Sequence, residues 1–310
     1  MKEYRQTSSK PPQPLEGTFV TDKKTPATVV SAYYEMKSKY SGDDYRKWIR
    51  LFLENVPCHL IFFTESVLEG FIRDCRRNYM DRTKIIVMER DEWTANKKFS
   101  QGVWIDLYGK DPECELVSPE VYKIWYEKKE FVMRGIALNP WRHTDFLWVD
   151  AGICRTMELA TLVKNFPVAS RIPVDRILVL NIMKFSRTDE IIRHYGDCSI
   201  MGGVDDKPRI GGGIIAGTAT LWRQYTESFD TVVEKYMKAR AFWGKEQIIM
   251  KTVVLENRSM FSLLEVKPIA PENWFYSLLY LGCSENVFKV LNDPSRNSIK
   301  RTYAYLHNFV

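Results

Sequence analysis

The stretch Phe146-Leu-Trp-Val-Asp-Ala-Gly152 runs four apolar residues into one carboxylate, then a small residue and a glycine. In a parallel α/β sheet the carboxyl ends of the strands form the ligand crevice. A strand that stays apolar up to Asp150 delivers its carboxylate to that rim, and Ala151 and Gly152 leave room for a bulky ligand beside the backbone. There Asp150 can bond a sugar or ribose hydroxyl, or ligate a divalent cation. The plainer alternative is an aspartate that caps its own turn.

Three other places carry comparable chemistry. Lys128 lies four residues after Ile124 and four before Val132, on the apolar stripe of its helix. It either snorkels along the core surface or reaches a phosphate or carboxylate at the sheet rim. Lys123, Glu127, Glu130 and Arg134 fall elsewhere on that helix, where solvated charges are expected. "GGGIIAGT" (211–218) resembles a phosphate-cradling loop, but it has neither G-x-G-x-x-G spacing nor the lysine of a P-loop. Its simpler meaning is a strand and turn, with Thr218 as a helix cap, where a ligand or another backbone comes close. Glu246 opens an apolar helix after Gly244 and Lys245, either as a charge suited to a helix start or as a carboxylate that contacts a hydroxyl or acts as base. The four histidines, His59, His143, His194 and His307, are isolated.

Elements able to position these residues follow from periodicity. Strands are predicted over 27–36, 59–64, 84–88, 146–149, 176–183 and 210–217. Helices are predicted after Asp44 as cap, after a capping box at Ser66-Val-Leu-Glu69, over 119–136, along Leu221 to Tyr236, and over 246–255. Alternating strands and helices imply right-handed βαβ units and a mostly parallel central sheet flanked by helices. Residues 1–26 read as a flexible arm, 27–310 as one α/β domain, and 89–118 as an insertion or long loop with a short helix.

Composition narrows the class. The 310 residues are 45% hydrophobic and 27% charged, as expected of a globular protein with a sizeable core. Net charge is +6, with Lys and Arg interleaved among Asp and Glu rather than gathered on one run, which argues against a nucleic-acid partner. Six scattered cysteines have no zinc spacing, and no apolar span reaches transmembrane length. The expectation is a reduced, soluble, cytoplasmic protein.

The pieces "SPEVYKIWYEKKEFVMRGI…FLWVDAGICR", "IGGGIIAGTATLWRQY" and "WGKEQIIM" occur in an order that resembles the HtrL/YibB (WlaTC-type) family, which is similar to GT-A glycosyltransferases. The resemblance spans roughly residues 27–275. It implies a single Rossmann-like, GT-A-like sheet and transfer from a nucleoside-diphosphate sugar, a UDP-sugar by preference, to a glycan or glycoconjugate acceptor. Asp150 would take the place of the first acid of D-x-D and hold Mn²⁺ or Mg²⁺. Lys128 would match the family's lysine before that strand, and Glu246 and Gln247 its Asp-Gln pair near the donor sugar. Gly212, Gly213 and Gly217 would run under the sugar, with Ala151 and Gly152 beside the donor. Two departures stand out: Gly152 replaces the second acid of D-x-D, and Glu246 replaces an aspartate. A catalytically inactive nucleotide- or sugar-binding protein is the alternative these departures leave open.

Overall fold

A computed structural model describes residues 26–186, 189, 208–266 and 273–292. Its strands are β1 (Thr28–Tyr33), β2 (His59–Thr64), β3 (Thr83–Val87), β4 (Asp145–Val149), β5 (Ile177–Asn181), β6 (Ile210–Thr218) and β7 (Phe261–Glu265). They form one sheet in the order β3-β2-β1-β4-β6-β5-β7. Every pairing is parallel except the two that β6 makes, with β4 and with β5.

The described helices are α1 (Gly42–Asn55), α2 (Glu69–Arg76), α3 (Thr94–Lys98), α4 (Gln101–Lys110), α5 (Pro119–Leu138), α6 (Met157–Leu162), α7 (Ala219–Lys238), α8 (Glu246–Glu256), α9 (Tyr276–Gly282) and α10 (Glu285–Asn292). They cover both faces of the sheet, which is why the inner strands are apolar almost throughout. Alternate strand residues enter opposite cores. Val30, Ile61, Phe63 and Trp148 face the core under α3, α4, α5, α7 and α8. Val29, Leu60, Phe62 and Val149 face the core under α1, α2, α6 and α9. The fold class is therefore the expected one, a single α/β domain with a mostly parallel sheet between helical layers.

Several local expectations are corrected. Segment 89–118, expected as an insertion or long loop with a short helix, carries two helices, α3 and α4, and short 3₁₀ turns. These helices cover the outer side of α5, so that Glu127 and Lys123, expected to be solvated, are buried. The Glu127 carboxylate accepts from the backbone N–H of Thr94 and of Ala95 (2.9 Å each) and from Arg134 (2.6 Å), and so caps α3 from a distant helix. Helix α1 is capped by Ser41, whose hydroxyl accepts from Asp44 N–H. At Ser66 a 3₁₀ turn replaces the capping box, because the Ser66 N–H is held by Glu89 (2.9 Å). Apart from Pro26, the arm expected over 1–26 lies outside the described residues, as do His194 and His307.

Candidate active site

Side-chain parity along β4 explains why a lysine and two carboxylates meet. Trp148 points to the face covered by α5, and the carboxylate two residues on points the same way. The Trp148 indole N–H donates to Asp150 Oδ1 at 2.7 Å. Lys128 sits on the inward stripe of α5 and brings its ammonium to 2.8 Å from the same oxygen, with the Trp148 ring 5.6 Å away. Glu246, the first residue of α8, approaches from the other side, its Oε1 2.6 Å from Lys128 Nζ. The ammonium therefore bridges two carboxylates, and it also lies 3.3 Å from the Gly212 carbonyl.

The glycines have separate roles. A Cβ on Gly212 would overlap the Glu246 carboxylate, with Cδ at 2.8 Å, so only glycine lets α8 seat its first residue there. The Gly213 carbonyl accepts from Asp150 N–H at 2.8 Å, and a Cβ on Gly213 would stand 3.7 Å from Asp150 Oδ2. Gly152 lies against the rings of Tyr45 and Trp48. Gly217 is elsewhere: it pairs with Phe146 near the opposite end of β4, and a Cβ there would meet Ile177. It serves the packing of β5 and β6, at a distance from Asp150.

A cleft of about 700 Å³ opens above this cluster, at the carboxyl ends of β1 and β4. Lys128, Asp150, Ala151, Gly152, Gly213, Glu246 and Gln247 line it, whereas Gly212 and Gly217 do not. Sequence reasoning missed two parts of this wall. Tyr40 and Tyr45 line it and form edge-to-face pairs with each other and with Trp48, which does not itself line the cleft. Arg155 lines it too, its guanidinium 3.5 Å from the centroid of Trp48. Trp48 was legible only as a core position of α1, and Arg155 only as the last residue of a quoted motif. Their juxtaposition arises from tertiary packing.

Charge and burial combine unevenly. The Lys128 and Glu246 side chains are each 7% exposed and that of Asp150 is 42% exposed. Burial alone would lower the Lys128 ammonium, but Asp150 and Glu246 outweigh it and hold it above the usual lysine range. Burial pushes the Glu246 carboxyl up to about 7; Lys128 opposes this and the Asp150 charge adds to it. One cation between two acids leaves one negative charge unmatched, and the more deeply buried acid takes the proton. Burial also raises the Tyr45 phenol, which feels Asp150 and Arg155 together.

The residues present do not fit a resident divalent cation. Asp150 Oδ1 is engaged by Trp148 and Lys128, and Glu246 Oε1 by Lys128. The Gly152 position supplies no carboxylate, and no group of three His, Cys, Asp or Glu among the described residues could hold a metal ion. Among the described helices none is long and apolar enough to cross a membrane.

Fold and site together define an α/β protein with a lysine-bridged carboxylate pair in a cleft at the carboxyl rim of its sheet. Comparison with protein-family models and with curated proteins finds no match. Among solved structures, the chain is similar to mouse xyloside xylosyltransferase 1 in its apo form, at 11% identity and a TM-score of 0.45, over 87% of this chain and 94% of that one.

Proposed function

We propose that the chain is a glycosyltransferase that moves a sugar from a nucleoside-diphosphate sugar, with UDP-sugars the first to test, onto a hydroxyl of a glycan or glycoconjugate. The observation that carries this reading is the Lys128–Asp150–Glu246 cluster in a cleft walled by aromatic rings. Asp150 Oδ2 is free to accept from a sugar or ribose hydroxyl, and flat aromatic faces suit both bases and sugars. Gln247 and the backbone at Ala151, Gly152 and Gly213 would line the donor. In transfer the acceptor oxygen bonds to the anomeric carbon, and the bond from that carbon to the phosphate oxygen breaks with its electron pair leaving on the diphosphate. An inverting reaction would use Glu246 to take the acceptor proton, a role for which a carboxyl titrating near neutrality is suited. A retaining one would use it as a donor-sugar contact, and the anomeric configuration of the product separates the two.

Incubation with a panel of nucleotide sugars and acceptors tests the proposal. Asp150→Ala should remain folded and lose most turnover; near-normal transfer by that variant would remove Asp150 from the chemistry. A second reading, a nucleotide- or sugar-binding protein without catalysis, draws on the sequestration of Glu246 behind Lys128. Thermal stabilisation by a nucleotide sugar without transfer or hydrolysis would favour it.

A further inference from the structure

The cleft has six cationic side chains on its wall, and five of them already face carboxylates. Lys128 is bound as described. Lys39 pairs with Glu113 (3.5 Å), Lys110 with Asp106 (2.6 Å), Lys245 with Asp111 (2.8 Å) and Glu113 (2.7 Å), and Lys251 with Asp189 (3.4 Å). Arg155 is the one that, among the described residues, has no acidic partner. Its Nε donates to the Gly152 carbonyl at 3.1 Å. Its guanidinium carbon is 3.5 Å from the centre of the Trp48 ring, 4.7 Å from that of Tyr40 and 5.1 Å from that of Phe275. The fork is thus fixed by one backbone bond and an aromatic bed, while both terminal amino groups remain available. That is a preformed receptor for a planar or tetrahedral oxyanion, because a guanidinium meets phosphate oxygens through two parallel N–H bonds.

Two observations set the anion beside the sugar site. Arg155 and Asp150 line one cleft and flank the same phenol, Tyr45. Lys128 spends its single charge on two carboxylates, so it has none left over for a ligand. Asp150 Oδ2 is the one carboxylate oxygen of the cluster left for a divalent ion, which takes six or more oxygen ligands, so an ion there would draw nearly all of its ligands from the diphosphate and water rather than from the protein.

We infer that Arg155 holds the diphosphate of the donor directly, and that donor binding needs no divalent cation. This rests on the donor reading given above, and the test separates the two. The full chain is titrated calorimetrically with UDP, GDP and ADP and with the corresponding nucleosides, in EDTA and again in Mn²⁺. At least one diphosphate should bind in EDTA with an affinity within about threefold of that in Mn²⁺. Arg155→Gln should weaken that diphosphate by about tenfold to a hundredfold, the range for a charge-assisted bidentate contact, and leave the nucleoside unaffected. Arg155→Lys, which keeps the charge but not the fork, should fall between. Diphosphate binding that appears only with Mn²⁺, or that is the same in Arg155→Gln as in the wild type, overturns the inference and leaves the donor reading standing. Wild-type protein that binds no nucleotide under either condition overturns both. The EDTA comparison uses unaltered protein, so it decides the question even if Arg155→Gln fails to fold.

Discussion

Replacing Lys128 with methionine keeps much of the stem volume and removes one charge from a position that is 7% exposed. Two carboxylates then face each other with no cation between them, and Glu246, with the same low exposure, is poorly hydrated. Breaking a buried ion pair by deleting one partner costs about 3–5 kcal/mol. In a chain of this size that is a fall in Tm of roughly 6–10 °C, at about 2 °C per kcal/mol. The loss must depend on pH. At pH 5 Glu246 already carries its proton, because its carboxyl titrates near 7, so beyond the contact with Asp150 only packing and hydrogen bonding are lost there. At pH 8 the variant must either ionise a buried acid or hold a proton against the solvent, at about 1.4 kcal/mol per pH unit. Urea denaturation at the two pH values, on the wild type, Lys128→Met, Glu246→Gln and the double variant, reads the effect. The double variant should recover most of the loss at pH 8, with a coupling of about 2–3 kcal/mol. Equal losses at pH 5 and pH 8, or additive losses in the double variant, would refute the charge argument.

Three further outcomes follow from the same geometry. Folded Glu246 keeps its proton up to about 7, against an ordinary value of 4.5, so the folded chain binds the extra proton between those limits and wild-type stability falls as pH rises through that window. Glu246→Gln should flatten the slope, as measured by urea midpoints from pH 5 to 8; an unchanged slope would assign it to other groups. Gly212→Ala pushes a methyl into the Glu246 carboxylate and should cost about 1–3 kcal/mol as well as weakening nucleotide-sugar binding, to be read by thermal unfolding and titration. Glu127→Ala leaves the N–H groups of Thr94 and Ala95 without their acceptor and should cost about 2–4 kcal/mol, while activity per folded molecule stays near that of the wild type.

Much of the positioning was legible from sequence where one residue broke a strong pattern. Asp150 at the end of an apolar strand and Lys128 within an apolar stripe both stood out, and their meeting follows from strand parity and helix facing. Glu246 was readable as a helix-start acid, though not as a buried one, because its burial depends on the missing side chain of Gly212 in another element. Glu127 and Lys123 were misjudged for a related reason. The helices that cover them, Thr94–Lys98 and Gln101–Lys110, are short, and their amphipathic pattern is too weak to announce a covering layer. Arg155 was invisible as a site residue, since a guanidinium is marked by what it stacks on, and Trp48 belongs to a helix far away in sequence.

The helix Pro119–Leu138 lies between the sheet on one side and the two short helices on the other, with Glu127 tied into α3 and Lys123 bonded to Gln101 at 2.7 Å. Lys128 therefore has little freedom to swing, and the spacing of the two carboxylates is set before any ligand arrives. Such a site loses little conformational entropy on binding, and it tolerates poorly any ligand whose hydroxyls do not match that spacing. The helical layer read from the sequence as an insertion or long loop with a short helix thus braces the helix that carries Lys128.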